Sequence, residues 1–120
     1  MRAVGETVWV ETEQQIDAVT GISGSGPAYV FLLAELLEKA GVEQGLPQAT
    51  ARTLARATLY GAGQMLHSLP TDADELRRNV TSPGGTTAAA LGVLMAPDAW
   101  SASTSQAVAA AVRRAGELAG

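Results

Sequence analysis

Pro27-Ala28-Tyr29-Val30-Phe31-Leu32-Leu33-Ala34-Glu35-Leu36-Leu37-Glu38-Lys39-Ala40 sets the architecture of this chain. Proline suits the first turn of a helix, where its missing N–H costs nothing. From there Tyr29, Val30, Phe31, Leu32, Leu33, Leu36 and Leu37 cover most of the helix circumference, and only Glu35, Glu38 and Lys39 are left to face water. A helix that is apolar on nearly every side must be buried on nearly every side. The whole chain is 120 residues, one domain's worth, and a monomeric bundle of that size gives each helix a wet face. The pattern therefore predicts a homodimer in which helices of two copies interlock. The alternative is a monomeric bundle with this helix at its centre.

Working toward the C-terminus, Gly41 closes this helix, Gly45 marks a turn and Pro47 opens another helix running to about His67. Ala51, Leu54, Ala55, Thr58, Leu59, Ala62, Met65 and Leu66 repeat there at i, i+3 and i+4. Gly61 and Gly63 each cost that helix about 1 kcal/mol relative to alanine, so close approach of another backbone is their expected return. Thr71-Asp72 with Glu75 predicts a capping box for a short helix to Asn79. Beyond it a corner of small residues, Thr81-Ser82-Pro83-Gly84-Gly85-Thr86-Thr87, leads into a helix from Thr87 to about Met95. Pro97 stops that helix, and an alanine-rich one follows from Ala99 to about Leu118.

Toward the N-terminus, a second small-residue corner, Gly21-Ile22-Ser23-Gly24-Ser25-Gly26, follows a short helix from Glu13 to Thr20. Ahead of it Glu6-Thr7-Val8-Trp9-Val10-Glu11 alternates polar and apolar residues, the period of a half-buried strand. A single strand is marginal by itself, so it is expected to pair with something outside the sequence. The fold class is accordingly all-α: a multi-helix bundle with one short N-terminal strand left over. Residues 1–12 read as a strand and linker, and residues 13–120 as the helical domain.

Composition narrows the function. Hydrophobic residues are 47% of the chain and charged residues 17%, a globular rather than disordered balance. Eight Lys+Arg against twelve Asp+Glu give a net charge of -4 with no basic patch, which argues against nucleic acid or an anionic membrane surface as partner. No run is apolar enough to span a bilayer, and Met1–Glu13 lacks the apolar stretch of a signal peptide, so a cytoplasmic location is expected. There is no cysteine and a single histidine, His67, which removes thiolate chemistry and His-based metal clusters. His67 reads as a helix C-terminal charge, Asp72, Asp74 and Glu75 as a solvated helix start, and Tyr29 and Met65 as packing residues.

Two places are left for chemistry, the corners Ser23–Gly26 and Ser82–Thr87. Each precedes a helix whose first-turn N–H groups lack intrahelical partners and favour an anion, and glycine allows a ligand close to the main chain. The plainer alternative is that both are simply helix starts. Neither is a nucleotide motif: the first has no GK[ST] ending, and a GxGxxG pattern from Gly24 fails at Tyr29. Hydroxyls and amides hold a carboxylate but supply no strong acid, base or redox centre.

Three segments make a more specific pattern: Asp17-Ala18-Val19-Thr20-Gly21-Ile22-Ser23-Gly24-Ser25-Gly26-Pro27-Ala28-Tyr29, Gly45-Leu46-Pro47, and Asn79-Val80-Thr81-Ser82-Pro83-Gly84-Gly85-Thr86-Thr87 followed by Ala90-Leu91. In order and spacing, from about Val4 to Leu118, they resemble the C-terminal domain of pyrroline-5-carboxylate reductases. That resemblance implies NADPH- or NADH-dependent reduction of 1-pyrroline-5-carboxylate to L-proline, the last step of proline biosynthesis. It also implies a helical domain that interlocks with its twin, sometimes in larger rings of dimers, beside a separate Rossmann domain that holds the cofactor. On this chain, Ser82, Pro83, Gly84, Gly85, Thr86 and Thr87 would cradle the substrate carboxylate, with the Thr87 hydroxyl near the ring nitrogen as the catalytic contribution. The strand at Val8–Val10 would then be the exit from a Rossmann sheet that the sequence lacks. The chain alone is expected to dimerise, to bind no dinucleotide and no metal, and to be inactive. Two alternatives remain: a non-catalytic helical homodimeric interaction module, and a helical domain of a related imine- or hydroxyacid-type oxidoreductase, against which the Ser82–Thr87 segment argues.

Overall fold

The computed structural model describes Arg2, Ala3, Glu6, Thr7 and residues 10–120. Among these residues six α-helices follow one another: α1 (Glu13–Val19), α2 (Gly26–Glu43), α3 (Gln48–Ser68), α4 (Ala73–Asn79), α5 (Thr86–Leu94) and α6 (Trp100–Ala119). Between α1 and α2 the chain winds a π-helical turn, Thr20–Gly24. The residues fall into two compact units, one of the chain up to Pro27 with Thr86–Gly120, the other Ala28–Gly85.

The all-α expectation holds, but the leftover strand does not. Arg2–Ala3 (β1) and Glu6–Thr7 (β2) pair with each other, antiparallel, with Arg2 opposite Thr7 and Ala3 opposite Glu6. No strand among the described residues exceeds these two rungs, and Val10 and Glu11 lie in none. The predicted Val8 and Trp9 fall outside the described residues. Thr12 explains why the alternation stops short: it is the N-cap of α1, extended at φ −131°, ψ 159°, with its side chain accepting from the Gln15 amide at 3.1 Å. Gln15 Oε1 in turn accepts from the Glu11 amide at 2.6 Å. Residues 11 and 12 are thus committed to a helix start, which polar/apolar alternation does not register.

In the first unit, α6 packs on α1 and on the π-turn. Gly21 is buried there, and a Cβ at that position would lie 2.8 Å from Val112 Cγ2. In the second unit α2 and α3 meet where Gly41 faces Ala51: a Cβ on Gly41 would be 3.0 Å from the Ala51 Cβ. Gly45, at φ +98°, makes the turn between them, a conformation that favours glycine. Pro47 is the N-cap of α3, one residue ahead of the helix it was expected to open. Asp72 is the N-cap of α4 but makes no side-chain capping bond, so the predicted capping box is not formed.

Burial is scarce. Ala51 and Ala55 are the only buried hydrophobic residues among those described, at 3% and 5% exposure. On α2, Val30, Phe31, Leu32, Leu36 and Leu37 all face solvent, Phe31 at 67%. Much of the apolar helix that the sequence expects to be covered is therefore open within a single chain, with Tyr29 and Leu33 only half-buried. Gly61 and Gly63 likewise have nothing within 4 Å to repay their cost.

Candidate functional site

Ser82–Thr87 is built from a tight turn feeding a helix. Pro83 and Gly84 occupy its two central positions, and the Gly85 amide closes it onto the Ser82 carbonyl at 3.0 Å. Gly84 has φ +72°, which with proline before it is the signature of a type II turn. α4 anchors the approach: the Val80 amide bonds the carbonyls of Arg77 and Arg78, and Thr81 bonds Arg78 through its amide at 3.1 Å and Arg77 through its hydroxyl at 2.6 Å. With the Gly85 amide used by the turn, the donors left over are those of the first turn of α5, which begins at Thr86. Ser82, Pro83, Gly84 and Thr86 are exposed, Gly85 and Thr87 half-buried. The six residues named from sequence thus lie contiguously in one exposed turn and one helix start, arranged for an anion to approach main-chain donors.

The other corner is different from what its glycines suggest. Ser23 and Gly24 lie inside the π-turn, and the Ser25 amide donates to the Thr20 carbonyl at 2.8 Å. That amide is spent within the helix, so the segment does not fit the pyrophosphate of a dinucleotide, which needs a loop of free N–H groups before a helix. Thr20 and Ser23 bond four residues back through their hydroxyls, to the carbonyls of Ile16 (3.1 Å) and Val19 (3.0 Å), and Gly21 between them has no side chain to hold α6 away.

The remaining titratable residues do not gather. Among the described residues no three acidic or histidine side chains come together as a metal site would require. His67 lies in the last turn of α3 and is exposed. Asp74 pairs with Arg78 at 2.8 Å, and that hydrogen bond and charge hold its carboxyl below the usual range. Both side chains are more than half exposed, so the pair adds little to stability. No described helix is long and apolar enough to cross a membrane. A groove of about 970 Å³ runs along α2 and α3, with Val30, Phe31, Val42 and Leu59 in its lining and Glu35 and Arg56 among its charged residues.

Comparison with known proteins agrees with this anatomy. Residues 13–118 match the family described as pyrroline-5-carboxylate reductase dimerisation. The chain is 48% identical over 119 residues to the pyrroline-5-carboxylate reductase of Pseudomonas aeruginosa, covering 99% of this chain and 43% of that enzyme. The solved structure of a pyrroline-5-carboxylate reductase from Coxiella burnetii superposes with a TM-score of 0.87 at 42% identity, over 92% of this chain and 41% of that one. Plasmodium falciparum pyrroline carboxylate reductase, solved with NADP bound, gives 0.83 at 34% identity, over 92% and 42% of the two chains. The chain thus spans less than half the length of each. Helices with open apolar faces and a match to a dimer-forming region define a helical dimerisation domain. The chain belongs to the pyrroline-5-carboxylate reductase family.

Proposed function

We propose that this chain is the homodimerising, substrate-holding part of a pyrroline-5-carboxylate reductase, the enzyme that reduces 1-pyrroline-5-carboxylate to L-proline with NADPH or NADH. The observation that carries this reading is the Ser82–Thr87 turn, whose exposed main chain leads directly into the unpaired amides of α5. Those amides hold the substrate carboxylate, and the Thr87 hydroxyl donates to the ring nitrogen. Fixing the ring in this way is the domain's share of catalysis, through orientation and matched charge. On this reading reduction depends on a nucleotide-binding part, and this chain by itself turns over no substrate. Two copies join through the open apolar faces of their helices, and further joining of dimers into rings is compatible with the family.

Titration of the chain with proline, followed by amide NMR, tests the site. Shifts confined to Gly84–Thr87 and the first turn of α5 are expected. No shift anywhere sinks the substrate-holding reading and leaves a helical homodimeric interaction module. In a complete enzyme carrying this domain, Thr87→Ala is expected to lower kcat/KM by about 100- to 1,000-fold with little change in melting temperature. Unaltered kinetics would remove Thr87 from the mechanism.

A further inference from the structure

The chain leaves α4 under restraint. The Arg77 carbonyl accepts from the Val80 amide at 3.3 Å and from the Thr81 hydroxyl at 2.6 Å, and the Arg78 carbonyl accepts from the Thr81 amide at 3.1 Å. Carbonyls in the last turn of a helix have no intrahelical donors, so these bonds close the end of α4. Thr81 therefore grips the helix twice, through main chain and side chain, and it is half-buried where Ser82, Pro83 and Gly84 beyond it are exposed. Hydroxyls of Thr20, Ser23 and Thr53 make the same bond four residues back, but inside helical turns whose main chain is already set. Thr81 lies two residues past the end of α4 at Asn79, so its hydroxyl bond holds a residue outside the helix. Directly after it, the Ser82 carbonyl accepts from the Gly85 amide at 3.0 Å. Among the described residues the amides of Ser82 and Gly84 donate to no acceptor, which makes them the turn's own donors for a ligand.

We infer that Thr81 is a positioning residue: its hydroxyl bond to Arg77 fixes how Ser82–Gly85 leaves α4, and with it the direction of the Ser82 and Gly84 amides. This rests on the reading that the Ser82–Thr87 segment holds the substrate carboxylate. Thr81 acts through the main chain and does not touch the ligand. Without its hydroxyl the Arg77 carbonyl still accepts from the Val80 amide, so the end of α4 keeps a donor and only the side-chain restraint is lost. A turn held less firmly must be ordered when the carboxylate binds, which weakens binding. The carboxylate is not the reacting group, and contacts to it are equally strong before and during hydride transfer. Their loss therefore falls on KM and spares kcat.

Proline titration of this chain by amide NMR, with steady-state kinetics in a complete enzyme carrying this domain, tests the inference. Thr81→Val, close to threonine in shape, is expected to weaken proline binding and to raise KM for the pyrroline carboxylate, each by about 3- to 10-fold, with kcat within about twofold. Thr81→Ser, which keeps the hydroxyl, is expected to restore both. Should Thr81→Val fail to fold, Thr81→Ala carries the same expectation. A changed melting temperature with parental KM and proline affinity overturns the inference, and so does a Thr81→Ser enzyme as impaired as Thr81→Val. The parent chain separates the two readings. If proline shifts its Gly84–Thr87 amides and does so with equal affinity in Thr81→Val, the positioning role alone is wrong; if proline shifts nothing in the parent, the substrate-holding reading falls and takes this inference with it.

Discussion

Gly84 is the residue on which the Ser82–Thr87 turn depends. Its φ of +72° costs an L-residue about 1–2 kcal/mol, and nothing lies within 4 Å of the position a Cβ would take, so the cost is one of backbone alone. Gly84→Ala is therefore expected to lower stability by about that amount and to weaken proline-induced shifts at Thr86 and Thr87. Chemical denaturation of the variant measures the first effect; a variant as stable as the parent would mean the turn has another conformation within reach. This part of the site was legible in the sequence, because proline followed by glycine dictates a turn type and the following threonines dictate a helix start. Ser23–Gly26 was not legible in the same way. Its glycines suggest an open loop, but Gly21 serves close packing against α6, a tertiary contact that a one-dimensional pattern does not contain.

At the scale of elements, α2 and α3 are joined at one tight point. Ala51 is 3% exposed and fixed to the α3 backbone, so a methyl on Gly41, 3.0 Å away, has nowhere to go. Overpacking of this kind costs about 1–3 kcal/mol, which exceeds the ~1 kcal/mol that replacing a helical glycine returns. Gly41→Ala is expected to lower the melting midpoint, and a raised midpoint would show that the crossing yields. Helix positions were recoverable from sequence to within a few residues because apolar spacing, Pro47 and Gly45 all mark the same boundaries. The N-terminal strand misled for a physical reason: alternation in six residues is a weak signal, and the commitment of Glu11 and Thr12 to the start of α1 outweighs it.

For the molecule as a whole, the decisive quantity is apolar surface without a cover. Burying a side chain such as leucine or phenylalanine contributes about 1.5–3 kcal/mol, and Phe31, Leu32, Leu36 and Leu54 are each at least half exposed in the single chain. Stability of an ordinary domain is only about 5–15 kcal/mol, so a few such residues decide whether the fold persists. A dimer that covers them has an unfolding midpoint that rises with protein concentration. The all-round apolar pattern of Pro27–Ala40 announced this need, whereas the partner helix that meets each face is not written in one chain's periodicity. Sedimentation equilibrium of the purified chain at micromolar concentration is the most direct test: twice the mass of one chain is predicted, and a cooperatively folded species with the mass of a single chain would contradict the account.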